Sequence, residues 1–189
     1  MTRSRKAQGP RSSEEGFSLI EVIFASVILS VGLLSLLAVF AQAISASRYG
    51  REDLIAKQKA REALENVYAA RNDTSITFND IQNVSNGGIF KDGFQALYLP
   101  GANGIAGTAQ DTTTMDSIIL PGADGLVGTA DDVSVPLVNY RRQILIANLT
   151  NADGSTNTDM RSIVVTVRVL SPGRANRDMV VTGIISRFP

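Results

Sequence analysis

The sequence contains no cysteine and no histidine among its 189 residues. Without cysteine, the chain cannot form a disulfide, a cysteine-rich zinc site or a thiol nucleophile. Without histidine, it lacks the commonest general acid and base of enzymes. Basic and acidic residues number 18 each, so no excess of positive charge favours binding to nucleic acid. The composition therefore argues against an enzyme and against a nucleic-acid-binding protein.

Ionisable residues are also scarce in the segment that follows the first 16 residues. Within residues 17–47 Glu21 is the only one, and proline is absent from there to Arg71. About 20 apolar residues in a helix cross the hydrocarbon core of a membrane, so this segment is long enough. Residues 1–15 carry four basic and two acidic side chains. The positive-inside rule therefore keeps them cytoplasmic and places the chain after Arg48 outside. A cleaved secretory signal fits less well, because its apolar region is only about 7–15 residues long.

The start of the apolar segment, GFSLIEV at residues 16–22, resembles the cleavage and methylation site of type IV prepilins and pseudopilins. The resemblance implies that a prepilin peptidase cuts between Gly16 and Phe17 and methylates the new N-terminal nitrogen of Phe17. Residues 1–16 would then be a removed leader peptide, and residues 17–189 the mature chain. The stretch VILSVGLLSLLAVFAQAI, followed by AREALENVYAARN, looks most like the minor pilins known as type IV pilus modification proteins.

Glu21 is the unusual residue of this segment, since an unpaired carboxylate inside a membrane is unfavourable. In the family that the motif resembles, this glutamate is held to neutralise the N-terminal ammonium group of a neighbouring subunit during filament assembly. After cleavage Phe17 would carry such an ammonium group, one helical turn from Glu21 and on the same face. The alternative places Glu21 at the membrane surface, where the helix dipole favours an acid in the first turn. The resemblance favours the role in assembly.

The helical pattern continues beyond the apolar segment as a charged, amphipathic helix over residues 48–71. Leu64, Val67, Tyr68 and Arg71 follow the spacing of one helix face, which predicts that this face packs on the rest of the domain. The charged residues of the segment are expected to form the solvated face.

The remaining residues, 72–189, are predicted to form a β-rich domain in the periplasm or outside the cell. Three segments rich in β-branched residues predict consecutive antiparallel strands, at 138–149, 162–170 and 179–187. The predicted fold is α+β and pilin-like, with a long N-terminal helix packed on a C-terminal antiparallel sheet. Many major pilins close this region with a disulfide, so its lack of cysteine favours a minor component.

A thirteen-residue phrase occurs twice in residues 99–132. LPGANGIAGTAQD begins at Leu99 and LPGADGLVGTADD at Leu120, 21 positions apart with nine identities. Oxygen-bearing side chains on a glycine-rich loop suit calcium, and the candidate ligands are Asn103, Asp111, Asp124, Asp131 and Asp132. Neither copy has the full EF-hand spacing. The alternative is a duplicated surface β-hairpin whose Asp and Gly residues satisfy turn geometry.

The leading hypothesis is a minor type IV pilin, a non-catalytic subunit that associates through its N-terminal helix and displays its C-terminal domain. Its expected partners are prepilin peptidase, other pilins and the bacterial inner membrane, which the chain would cross once before joining a filament. A minor pseudopilin of a type II secretion system would share every N-terminal feature. A different class is an uncleaved, single-pass anchored surface protein with calcium-binding loops. An enzyme is a third class, for which the sequence offers no nucleophile or acid–base set.

Overall fold

The computed structural model describes residues 16–73 and 76–188. One uninterrupted helix, α1, spans Leu19–Asn72, and six strands follow it. They are β1 (Gln95–Ala96), β2 (Ser117–Leu120), β3 (Val133–Pro136), β4 (Tyr140–Thr150), β5 (Thr156–Val169) and β6 (Arg177–Ser186). Two short 3-10 helices, Phe78–Asp80 and Val84–Asn86, lie between α1 and β1. The chain divides after Arg48 into two compact units, called here the N-terminal and the C-terminal unit.

The sheet of the C-terminal unit is antiparallel, with strand order β1-β4-β5-β6. β4 pairs with β5 along its whole length, and β5 pairs with β6 from Val169↔Arg177 to Met160↔Ser186. The three strands predicted at the C-terminal end, and their consecutive antiparallel order, are confirmed. So is the α+β, pilin-like layout, because the second half of α1 packs on this sheet.

The turn between β4 and β5 is tighter than the sequence indicates. The predicted strands end at 149 and resume at 162, but β5 already begins at Thr156. The turn closes through a hydrogen bond from the amide of Asn151 to the carbonyl of Ser155 (2.8 Å), with Gly154 in the left-handed region at φ 83°. The first residues of β5 are polar and partly exposed, so the strand there is maintained by backbone pairing and leaves no apolar pattern in the sequence.

Small side chains form the face of α1 that packs on the sheet. Its fully buried residues recur every three to four positions and are Ala56, Ala60, Ala63, Val67 and Ala70. Of the predicted stripe, Val67 belongs to this face and Leu64 is also buried, but the stripe is rotated from the face, since Tyr68 and Arg71 are only half-buried. Alanine lets the helix backbone approach the sheet closely. On β6, Gly183 faces the helix, and an added Cβ at this position would clash with the Tyr68 hydroxyl.

Lys59 departs from the prediction that the charges of this helix are solvated. It is buried, and its Nζ lies 2.6 Å from Asp116 Oδ2 and 3.0 Å from Glu62 Oε2. Burial by itself would lower the pKa of Lys59, but the hydrogen bonds to Asp116 and Glu62 outweigh it and raise this pKa above its ordinary value. Asp116 directly precedes β2, so the pair ties α1 to the β2–β3 hairpin.

A buried asparagine completes the hydrogen bonding of β4. Strand β1 covers only Arg141 and Arg142 of β4. Beyond these two residues Asn83 bonds the backbone of β4: its Nδ2 donates to the carbonyl of Ile144 and its Oδ1 accepts from the amide of Ile146, each at 2.8 Å. The side-chain amide thus replaces a neighbouring strand at the edge of the sheet.

Replacing Asn83 by alanine is expected to lower the free energy of unfolding of the C-terminal unit by about 2–4 kcal/mol, because two buried backbone groups lose their partner. All four tyrosines lie in this unit, so urea unfolding followed by tyrosine fluorescence measures its stability. Asn86→Ala, at an exposed position, is the matched control and should change stability little. Equal midpoints for the two variants would contradict the role assigned to Asn83.

Candidate processing and assembly site

The peptide bond between Gly16 and Phe17 is accessible and lies just before the helix. Residues 16–18 are non-helical and exposed, and Phe17 is 82% exposed. The carbonyl of Ser18 accepts the first helical hydrogen bonds, from the amides of Glu21 (3.0 Å) and Val22 (3.2 Å). A peptidase can therefore reach this bond without unwinding α1. The predicted leader lies outside the described residues, apart from Gly16.

The first half of α1 is apolar on every side. Its apolar side chains from Leu19 to Ile44 are exposed, and its most apolar window has a mean hydropathy of 2.7. By length and composition this helix can cross a membrane. Serine hydroxyl groups of this half find their hydrogen-bond acceptors within the helix: those of Ser26, Ser30 and Ser35 each donate to a backbone carbonyl one turn earlier, at 2.7–2.8 Å. Such internal bonding suits a hydrocarbon environment.

Glu21 is the one ionisable side chain of this apolar run. It lies exposed in the first turn of α1, and within the described residues its carboxylate makes no hydrogen bond or ion pair. Phe17 precedes the first helical residue by two positions, so helical spacing alone does not place it over Glu21. Before cleavage the nitrogen of Phe17 is an uncharged amide. A positive partner for Glu21 at this position therefore requires cleavage.

The two copies of the repeated phrase fold in the same way. In the first copy, here called loop 1 (residues 99–111), the carboxylate of Asp111 accepts hydrogen bonds from the amides of Gly107 (2.9 Å) and Thr108 (3.2 Å). In the second, loop 2 (residues 120–132), Asp132 accepts from Gly128 (2.6 Å) and Thr129 (3.2 Å). Loop 2 connects β2 to β3, as the β-hairpin alternative predicts.

The remaining candidate calcium ligands also take part in turn geometry. Asn103 Oδ1 accepts from the amide of Ile105, and Asp124 Oδ1 from that of Leu126. The hydroxyl of Thr129 and then the amide of Asp124 donate to Asp131, and together they lower its pKa. Over residues 16–73 and 76–188 no group of three or more acidic side chains is arranged to hold a metal ion. Calcium binding by these loops stays a prediction.

The same aspartate should matter more in loop 1 than in loop 2. Gly107 and Thr108 are buried, so Asp111→Ala leaves two amides without water or partner and is expected to cost about 1.5–3 kcal/mol. Gly128 is exposed and Thr129 half-buried, so water can replace Asp132, and Asp132→Ala should cost about 1 kcal/mol or less. Urea unfolding of both variants compares them directly. A larger loss for Asp132→Ala would show that loop 2 has a role beyond its own turn.

Comparison with models of known protein families finds a motif at the N-terminus. The family model of the prokaryotic N-terminal methylation motif matches residues 11–37, which include the accessible Gly16–Phe17 bond, Glu21 and the start of the apolar helix. No curated protein and no solved structure matches the chain. The motif at the N-terminus, followed by a long helix that packs on an antiparallel sheet, supports a type IV prepilin-like protein.

Proposed function

We propose that the chain is a minor type IV pilin, a structural subunit that enters a filament through its N-terminal helix and displays its C-terminal unit. The observation that carries the proposal is the exposed Gly16–Phe17 bond directly before an apolar helix with one carboxylate near its start. Each part has a physical task in this role. The bond is the substrate of prepilin peptidase, the apolar surface packs against other pilin helices, and Glu21 provides the polar contact between subunits.

The proposed route begins in the inner membrane. The basic residues before Gly16 stay in the cytoplasm, and the C-terminal unit lies in the periplasm. Cleavage removes the basic residues and creates a charged nitrogen at Phe17. The exposed apolar face of the helix then lies among other helices instead of lipid, so the subunit can leave the bilayer without exposing apolar surface to water. The chain itself catalyses no reaction on this route.

The test is the intact mass and N-terminal sequence of the membrane-associated protein from its native host. Wild-type protein is expected to start at N-methylated Phe17. Gly16→Val should keep residues 1–16, because a site fitted to glycine excludes a β-branched side chain. Gly32→Val is the matched control, since no atom lies within 4 Å of the added Cβ, and it should be cleaved normally. An uncleaved wild-type chain would overturn the proposal and favour an anchored surface protein.

A further inference from the structure

The buried pair of Lys59 and Asp116 brings an amine and a carboxyl group into contact away from water. Lys59 is 8% exposed and Asp116 7% exposed, and Lys59 Nζ lies 2.6 Å from Asp116 Oδ2. Because Cγ is one bond of about 1.2 Å from Oδ2, Nζ lies within about 3.8 Å of this carbon. A nitrogen held so close to a carboxyl carbon is placed to attack it. The pair therefore has the geometry of reactants as well as that of a salt bridge.

Glu62 places a second carboxylate on the same nitrogen. Its Oε2 lies 3.0 Å from Lys59 Nζ, one helical turn along α1. Burial by itself would lower the pKa of Lys59, but the hydrogen bonds to Asp116 and Glu62 raise it, so the ammonium form predominates. Two protons must leave an ammonium nitrogen before it becomes an amide nitrogen. The two carboxylates in contact with Nζ can accept one proton each.

The other oxygen of Asp116 has positive groups near it. The amide of Ser117 donates to Oδ1 at 2.8 Å. Arg142 is 4% exposed, and among the described residues its Nη2 finds no hydrogen-bond partner. Burial lowers the pKa of Arg142, whereas the charges of Asp111, Glu62 and Asp116 raise it, so this guanidinium lies within electrostatic reach of the pair. The amide and the guanidinium both favour negative charge on Oδ1, which is where it develops when an amine attacks Cγ.

The backbone on both sides of Asp116 holds its carboxyl group in place. The amide of Asp116 donates to the carbonyl of Leu97, and its carbonyl accepts from the amide of Leu137, each at 2.9 Å. Leu97 and Leu137 are themselves buried, and so is Ala60 beside Lys59. Groups held on rigid elements can reach effective concentrations of about 10⁵–10⁸ M. Burial also keeps out the water that would hydrolyse an amide bond once it has formed.

We propose that Lys59 and Asp116 join in an amide bond that the folded chain forms without another protein. A proton first passes from Nζ to Oδ2, which leaves a neutral amine and a neutral carboxyl group. Nζ then bonds to Cγ, and Glu62 takes a proton from the nitrogen and passes it to Oδ2. The bond between Cγ and Oδ2 breaks, one water molecule leaves, and Glu62 ends unchanged. The reaction consumes no oxidant, metal or second substrate.

The amide bond gives the chain a covalent cross-link although it has no cysteine for a disulfide. It joins α1 to a residue 57 positions later, directly before β2. The reaction occurs once per chain, lies within the C-terminal unit and does not depend on whether Gly16–Phe17 is cleaved. Chain that has not reacted keeps the ion pair, and only in such chain does Lys59 respond to pH.

The test is the intact mass of the full-length chain purified from membranes, followed by tryptic digestion of the unfolded protein. Wild-type protein is expected to weigh one water molecule less than its processed sequence. Trypsin does not cut after an acylated lysine, so it should release residues 58–61 joined to residues 92–141. Glu62→Gln should fold, as circular dichroism checks, but keep its full mass and be cut after Lys59. Glu65→Gln, at an exposed acid of the same helix, is the matched control and should lose the water.

A wild-type chain of full mass that trypsin cuts after Lys59 would overturn the proposal and leave the pair as a salt bridge. Loss of water without the joined peptides would also overturn it, because an aspartate before a glycine, such as Asp92 or Asp124, loses water when it closes on the next amide. Joined peptides in equal yield from Glu62→Gln would overturn the proton transfer assigned to Glu62. Joined peptides from wild type and Glu65→Gln alone would support the whole proposal.

Discussion

Replacing Glu21 by leucine is expected to leave the chain cleaved and in the membrane but absent from filaments. In the membrane, leucine removes the unfavourable burial of a carboxylate, so the single subunit becomes more stable there. In a filament, the same change leaves the ammonium group of a neighbouring Phe17 without its partner. In translocon-insertion measurements, a charged side chain at the centre of a membrane helix costs about 2.5–3.5 kcal/mol. A difference of about 2.8 kcal/mol corresponds to roughly a hundredfold loss of incorporation.

The measurement is the ratio of this chain in sheared filaments to that in membranes, together with its intact mass to confirm cleavage. Glu65→Leu is the matched control, because it makes the same change at an exposed position of α1 in the C-terminal unit. It should enter filaments normally. If Glu21 served only to favour the first turn of the helix, the cost would be about 0.3–1 kcal/mol and incorporation would largely persist. Normal incorporation of Glu21→Leu would therefore contradict the role in assembly.

Lys59→Met is expected to destabilise the C-terminal unit by about 3–5 kcal/mol, since it leaves the buried carboxylate of Asp116 without its cation. The double variant Lys59→Met with Asp116→Leu should recover most of this loss, because two apolar side chains replace two buried charges. Lys57→Met is the control at an exposed lysine of the same helix and should be nearly neutral. Urea unfolding of wild type, the single variants Lys59→Met and Asp116→Leu, and the double variant forms a double-mutant cycle, and Lys57→Met is measured beside it. Failure of the double variant to recover would show that the loss came from packing.

The raised pKa of Lys59 makes the same pair sensitive to alkaline conditions. Because the folded protein holds this proton more tightly than the unfolded chain, the stabilisation is complete below the ordinary lysine pKa of 10.5. It is lost as the pH rises through the higher pKa of the folded state. Wild-type protein should therefore lose more stability between about pH 10 and pH 12 than the double variant. Circular dichroism is the suitable probe, since tyrosine fluorescence changes as tyrosines ionise in this range.

The sequence by itself determined the features that depend on neighbouring residues. The motif around Gly16, the apolar helix and the three C-terminal strands each have a local pattern, and the structure has the helix and the strands where those patterns predict them. The glycine-rich turn chemistry of the repeat is of the same kind. Both copies fold alike because their backbone hydrogen bonds close within thirteen residues.

Only the tertiary structure decided which of these local features are buried, and against what. Lys59 resembles its solvated neighbours in sequence, and only the approach of Asp116, 57 positions later, explains its burial. The sequence gives Asn83 no special role. In the structure it lies beside β4 and bonds two backbone groups of that strand that would otherwise be unpaired. Loops 1 and 2 are nearly the same in sequence, yet one tip is buried and the other exposed. Burial depends on contacts between distant parts of the chain, and a local sequence pattern does not indicate which distant residues will make those contacts.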